Sequence, residues 1–313
     1  MKTYVISGAT GTIGRPLVDA LRARGERVIV LSNPGSTRTP AAWQEDSGIV
    51  CIPCGLEGYA DPPACLTRLA PADVFIHLAW AKTTGAGRDD AEAQYRNIGY
   101  TLDAVHLAHT LGCSVFVGAG SQAEYGRVDR VLTPDRAVQP ESGYGIAKFS
   151  AGRLSALLCR SLGIRHVWAR ILSVYGIYDA PGTLVSYLIS ALAAGERPAL
   201  SPCGQIWDYL YADDAAQALI AMAERGRDGG VYCLGSGRGA PLREYVESVR
   251  RIVAPDAVID YGARPYYPHQ PMLLQADLSA LTADTGFVPT VEFAEGVRRI
   301  CAARGIPVHF DAK

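Results

Sequence analysis

Lysine is scarce in this chain. Of 30 basic residues only four are lysine, at Lys2, Lys82, Lys148 and Lys313, and two of those sit at the ends. In a chain that otherwise uses arginine, a mid-chain lysine is expected to be needed as lysine, a compact point charge on a flexible stem. An excess of charge of one sign is also missing. The net charge is −1 and no basic block occurs, so neither nucleic acid nor an anionic membrane is an expected partner. No apolar run reaches the roughly 18 residues of a spanning helix. Met1-Lys2 leads straight into strand-like sequence instead of a signal peptide, and the chain reads as cytoplasmic. The eight cysteines lack the spacing of a disulfide framework or a zinc site. Cys51 and Cys54 make one C-x-x-C without a second pair, so reduced, packed thiols and no metal are expected. Repeats and low-complexity linkers are absent too. With 313 residues, 49% hydrophobic and 19% charged, the chain suits one large or two modest domains with a sizeable core.

What is present begins at the N-terminus. Residues 3–7 read as a buried strand, followed at once by Gly8-Ala9-Thr10-Gly11-Thr12-Ile13-Gly14. A helix from Arg15 to Arg24 has Pro16 in its first turn and Gly25 past its end, and a second strand runs from Arg27 to Leu31. This is the βαβ unit in which glycines let backbone N–H groups and a helix N-terminus approach a pyrophosphate.

Further on, Gly145 to Arg160 carries apolar residues at helical spacing, which sets Tyr144 and Lys148 one turn apart on one face. A phenol beside an ammonium is expected to have its pKa pushed down, giving a proton donor and acceptor usable near neutral pH. The strand Ser114 to Val117 delivers Gly118-Ala119-Gly120-Ser121, placing the Ser121 hydroxyl at the carboxyl edge of a parallel sheet, where ligands bind in doubly wound folds.

The G-x-x-G-x-x-G spacing, Ser121, Tyr144 and Lys148 together resemble the extended short-chain dehydrogenase/reductases, in particular their nucleotide-sugar epimerase/dehydratase branch. Asp73 to Ala79, Asn97, Gly120 to Gly126, Val174-Tyr175-Gly176, Asp208 to Asp214 and Ala276 to Pro289 extend the match over nearly the whole chain. The resemblance implies an α/β fold, a Rossmann-type doubly wound parallel sheet. Residues 1–175 and about 208–235 would form the dinucleotide domain, and 176–207 with 236–313 a small discontinuous C-terminal substrate-binding lobe. Gly8, Thr10, Gly11, Thr12, Ile13 and Gly14 would hold the diphosphate, Leu56 the adenine, and Leu78, Ala79, Trp80 and Lys82 the cofactor beyond it. Leu172 and Val174 would cover the nicotinamide, and Asn97 would bridge water to Lys148. Tyr144 and Lys148 would touch the cofactor as well as catalyse. A homodimer built on the Asn97 and Tyr144 helices is expected from the same resemblance.

Cofactor choice is written at the end of the second strand, where an acid favours NAD and its absence with a nearby Arg accommodates NADP. That position is Ser32, followed by Asn33 and Arg38, with no carboxylate from Arg27 to Gln44, so NADP(H) is favoured and NAD(H) possible. Lys82, Ser121, Gln122, Ala123, Ser173, Trp207, Arg264 and Tyr267 are the expected substrate contacts. Sugar 4,6-dehydratases resembling this family carry an Asp-Glu pair directly after the Ser/Thr. Here the positions hold Gln122 and Ala123, and Glu124, one residue late in a strand-like segment, is expected to point away. Dehydration is therefore not expected. Trp207 and Tyr267 stand where relatives carry phosphate-clamping arginines, with Arg264 or Arg238 as substitutes, which leaves open a ligand that is not a nucleotide sugar. The aromatics Trp207, Tyr209, Tyr211, Tyr266 and Tyr267 either stack on a ligand or pack the lobe. The expected activity is NAD(P)-dependent reduction of the 4-keto group of a nucleotide-linked 6-deoxy sugar. An epimerase with retained cofactor is the alternative, and a non-catalytic cofactor-sensing protein a more distant one.

Overall fold

Tyr4, Val5 and Ile6 are all fully buried, because a strand covered on both faces does not alternate apolar with polar. A computed structural model, describing residues 1–267 and 270–309, sets this strand in the middle of a sheet. The elements are β1 (Thr3–Ser7), α1 (Gly14–Ala23), β2 (Arg27–Ser32), β3 (Ile49–Pro53), β4 (Val74–His77), α2 (Ala91–Thr110), β5 (Val115–Ser121), α3 (Gly143–Ser161) and β6 (Arg165–Ile171). Then follow β7 (Ser173–Tyr175), α4 (Leu184–Ala193), β8 (Tyr209–Tyr211), α5 (Ala212–Arg225), β9 (Gly230–Leu234), α6 (Leu242–Val253), α7 (Ser279–Thr285) and α8 (Phe293–Ala303). Seven strands lie side by side, all parallel, in the order β9-β6-β5-β4-β1-β2-β3. β1 pairs with β2 on one side and β4 on the other, so the winding reverses there and a crevice opens at the carboxyl ends of those strands.

Each face of the sheet has its own apolar layer. On one, Tyr4, Ile6 and Val30 pack with Leu17 and Leu21 of α1 and Ala215, Leu219 and Met222 of α5. On the other, Val5, Ile29, Phe75 and Phe116 meet Ala104 and Ala108 of α2 and Cys159 of α3. Beyond β6 the alternation stops. β7 pairs in parallel with β8, and α4, α6 and α8 enclose a separate cluster around Leu188, Ile189, Val246 and Val297. Tyr175, Tyr209 and Tyr245 pack around Phe293 with ring centroids 4.6 to 5.7 Å apart, so Tyr209 and the buried Tyr211 serve packing here. Leu281 and Phe287, within the segment expected in the lobe, join the layer over the main sheet instead. Asp208 ties distant segments together: its buried carboxylate accepts from the N–H groups of Ser236, Gly237 and Ala276 at 2.6 to 3.1 Å.

All eight cysteines are free thiols. Among the described residues no helix is long and apolar enough to cross a membrane, and no group of three His, Cys, Asp or Glu side chains is placed to hold a metal.

A Cβ on Gly14 would fall 2.3 Å from the Gly8 carbonyl oxygen and 2.6 Å from Ala9 Cα, and neither backbone atom can yield without moving the turn. Gly14→Ala is therefore expected to lower stability by about 1–3 kcal/mol, the scale of local overpacking, measured by urea denaturation.

Candidate active site

The crevice widens into a cleft of about 1550 Å³ reaching from the glycine turn to Trp207 and Tyr267. At its near end Gly8 takes φ +72° and passes so close to β4's exit that a Cβ would sit 2.7 Å from the Ala79 nitrogen. Gly11 differs: a Cβ there would meet only the Gly8 oxygen at 3.4 Å, so its bare backbone leaves room for a ligand. No side chain caps the start of α1. Thr10, Gly11, Thr12 and Ile13 line the cleft around that helix end, a cradle that fits the diphosphate of a dinucleotide. Ser32, Asn33, Arg38 and Leu56 line the cleft beside the glycine turn, where Arg38 Nη2 donates to the Thr10 carbonyl at 3.3 Å. Glu57, whose place in the cleft wall was not foreseen, joins them there.

Ser121 ends β5 and Tyr144 begins α3. The start of α3 is fixed three ways. The Ser142 hydroxyl caps it by accepting from the Gly145 N–H at 3.1 Å, and the Gly143 N–H donates to Asp89 Oδ1 at 3.0 Å. Gly145 passes so near Ala123 that a Cβ would lie 2.3 Å from its carbonyl oxygen. This close approach brings Tyr144 to the same stretch of cleft wall as Ser121, whose hydroxyl accepts from the Ala123 N–H at 3.1 Å. One turn on, Lys148 is buried at 3% exposure, its Nζ donating to the Ala119 carbonyl at 2.6 Å and lying 3.7 Å over the Trp80 ring.

The whole arrangement sits in a chain whose residues 4–235 match the family model described as the NAD dependent epimerase/dehydratase family. The chain belongs to that family. Its dTDP-glucose 4,6-dehydratase relative from Streptomyces griseus is 25% identical over 317 residues, covering 95% of this chain and 92% of the relative. Two solved structures share the fold. The UDP-glucose 4-epimerase of Thermotoga maritima, with UDP-glucose, superposes with a TM-score of 0.85 at 22% identity, over 97% of this chain and 98% of that one. The UDP-glucuronic acid 4-epimerase of Bacillus cereus, with UDP-glucuronic acid and NAD, gives 0.81 at 21% identity, over 96% and 98%.

Two expectations about electrostatics need correction for this member of the family. Burial holds the Tyr144 phenol above its ordinary range, while the Arg88 charge and the Ser121 hydrogen bond pull the other way. The expected acidification by Lys148 is absent because its ammonium turns to Ala119 and lies 5.7 Å from the Tyr144 ring centre, whereas the Arg88 guanidinium lies at 4.3 Å. Lys148 itself is pushed down to about 7 by burial, against the opposing pull of Glu124. Glu124 is not in a strand either. Gln122–Tyr125 form a 3₁₀ turn in which Glu124 is buried: Oε1 accepts from the Ser121 N–H and from Trp168 Nε1, both at 2.9 Å, and Oε2 from Arg170 Nε at 2.7 Å. Arg170 was missed by sequence reading, for nothing in β6 marks an arginine that faces inward.

Leu78, Ala79, Trp80, Leu172 and Ser173 line the cleft, as do Gln122 and Ala123. Three expected contacts lie elsewhere. The Lys82 ammonium pairs with Asp90, Asn97 bonds both the N–H and the carbonyl of Ala81, and Val174 sits in the β7–β8 pair. Trp207 and Tyr267 stand where the cleft meets a second cavity of about 570 Å³, which Arg264, Tyr266 and Gln205 help to line.

Lys148 makes stability depend on pH. Its pKa is about 7 when folded and near its ordinary 10.5 when unfolded, so below 7 both states carry the proton and the penalty of a buried ammonium is complete. As pH climbs from 7 the folded state gives up the proton first, and stability rises. The midpoint of urea denaturation is expected to rise between pH 7 and 8.5 by more in the native chain than in Lys148→Met. Glu124→Ala strands a buried guanidinium and is expected to cost about 3–5 kcal/mol by the same assay.

Proposed function

We propose that this chain is an NAD(P)-dependent reductase of a sugar ketone, most simply the 4-keto group of a nucleotide-linked 6-deoxyhexose. The observation that carries this reading is that Ser121 at the end of β5 and Tyr144 and Lys148 at the start of α3 line one cleft together with the glycine turn. A nicotinamide dinucleotide bound along the Gly8–Gly14 turn would supply the hydride. Tyr144 donates the proton to the carbonyl oxygen, and the Ser121 hydroxyl stabilises charge developing on that oxygen. Lys148, bonded to the Ala119 carbonyl, and Trp80 fix the floor beside Tyr144, and the lysine would hold the ribose of the bound dinucleotide. Dehydration needs an acid and a base next to Ser121. Gln122 and Ala123 do not ionise, and Glu124 is held by Arg170, Trp168 and the Ser121 backbone, which weighs against the activity of the Streptomyces griseus relative.

A second reading, epimerisation with retained cofactor, uses the same residues and is favoured by the two UDP-sugar epimerases of like fold. The two separate on net turnover: a reductase consumes added NADPH, an epimerase does not. NADP(H) is preferred in this proposal because Arg38 and Ser32 line the adenosine end. We assign the chain to the cytoplasm and to a homodimer joined through α2 and α3, whose outer faces expose Tyr95, Ile146, Leu154 and Leu157.

Three outcomes are expected. Tyr144→Phe lowers the rate of NADPH-dependent ketone reduction by roughly 10²–10⁴-fold, and an unchanged rate would overturn the chemistry. Arg38→Ala weakens NADPH about tenfold or more and leaves NADH within twofold. Leu157→Glu converts a dimer to a monomer in sedimentation velocity.

A further inference from the structure

Arg88 stands over the acid of the site without a counter-charge. Its half-buried guanidinium lies 4.3 Å from the centre of the Tyr144 ring, and the side chain lines the cleft. Among the described residues it has no ion pair and donates no side-chain hydrogen bond, whereas Arg22, Arg127, Arg170 and Arg227 each hold a carboxylate. The neighbouring carboxylates are committed elsewhere. Asp89 accepts from the Gly143 N–H, Asp90 takes Lys82 and the Ala93 N–H, and Glu124 holds Arg170. A guanidinium has five donors, and leaving them without partners in a partly closed cleft is unfavourable unless a ligand takes them.

The loop that carries Arg88 is fixed at several points. Gln94, almost fully buried, donates to the carbonyls of Lys82 and Gly87 and accepts from Trp80 Nε1. The Arg88 carbonyl packs against Gly143, where a Cβ would lie 3.1 Å away. The guanidinium is therefore presented by a braced segment, and its position relative to Tyr144 follows from the backbone. Arg88 shares the cleft wall with Tyr267, which also lines the second cavity. On that side Trp207 and Tyr267 bring rings and no positive charge.

We infer that Arg88 holds an oxyanion of the substrate, either a carboxylate on the sugar or a phosphate of its nucleotide, beside the carbon that Tyr144 serves. This rests on the sugar-oxidoreductase reading above: in the phosphate case the 6-deoxyhexose stands, and in the carboxylate case the sugar is a uronic acid instead. Guanidinium and oxyanion match in geometry and charge, and a two-point contact would fix the sugar against rotation as well as hold it.

The test measures dissociation constants of UDP, UDP-glucose and UDP-glucuronic acid on protein loaded with whichever dinucleotide it binds, comparing the native chain with Arg88→Met and Arg88→Lys. If the anion is a sugar carboxylate, UDP-glucuronic acid binds about tenfold or more tighter than UDP-glucose, and Arg88→Met erases the gap. If it is a phosphate, Arg88→Met weakens all three by a similar factor and Arg88→Lys restores part of the loss. Constants within twofold of native for all three ligands in Arg88→Met overturn the inference, also when kcat alone falls, since Arg88 would then act only through the Tyr144 ring. A native chain that binds none of the three sinks the nucleotide-sugar reading instead. Arg88 is then decided by the same variants on glucose 1-phosphate and glucuronic acid against glucose, where equal binding in native and Arg88→Met chains counts against it.

Discussion

The approach of α3 to the end of β5 is the constraint on which the site depends. It is set by Gly145, whose missing Cβ allows the first turn of α3 to press against the Ala123 carbonyl. That contact sets Tyr144 on the cleft wall with Ser121 and puts the Lys148 ammonium on the Ala119 carbonyl, at the end of the same strand. The buried acid and the buried arginine beside that strand end are already paired with each other. Glu124 closes the Ser121 turn and neutralises Arg170, so the strand end is rigid and carries no free acid. Because Lys148 is buried and Tyr144 partly so, desolvation is the largest influence on the protonation of each. It raises Tyr144 and lowers Lys148, the outcome for an acid whose charged form is negative and one whose charged form is positive.

This balance bears on the direction of chemistry. A phenol that keeps its proton is ready to give it to a carbonyl, and a lysine whose charge burial disfavours adds less positive charge to make phenolate. The second source of positive charge near the phenol is Arg88, which belongs to a loop and not to the helix. An anion held by that arginine, as proposed, would link proton transfer to the presence of the ligand. Recognition and chemistry would then share one side chain, and the aromatic walls at Trp207 and Tyr267 would have less charge to supply.

Much of this was legible in the sequence. The βαβ unit, the buried runs of β1 and β4 and the Tyr144–Lys148 spacing all follow from period, glycine placement and local propensity, and the doubly wound parallel sheet is as expected. What escaped was set by tertiary contact. The spacing that puts Lys148 one turn from Tyr144 does not say which way the ammonium turns, and the Ala119 carbonyl won it. Glu124 looked like strand because the preceding residues are strand. Its capping of the Ser121 turn depends on Arg170, 46 positions later in the chain. Lys82 looked free to reach a ligand, yet Asp90 lies within its own loop and takes it. Arg88 carried no signal at all, since a loop arginine in a chain rich in arginine is unremarkable until it is found over a particular ring.

The most direct measurement is the ionisation of Tyr144 itself, followed by ¹³C NMR of the chain labelled at tyrosine Cζ, with Tyr144→Phe used to assign the resonance. A phenol that stays protonated from pH 6 to beyond 9 in the cofactor-free protein is the expected result. A Tyr144 resonance titrating with a midpoint near 7 would contradict it, and would return the chemistry to a phenolate base made by Lys148.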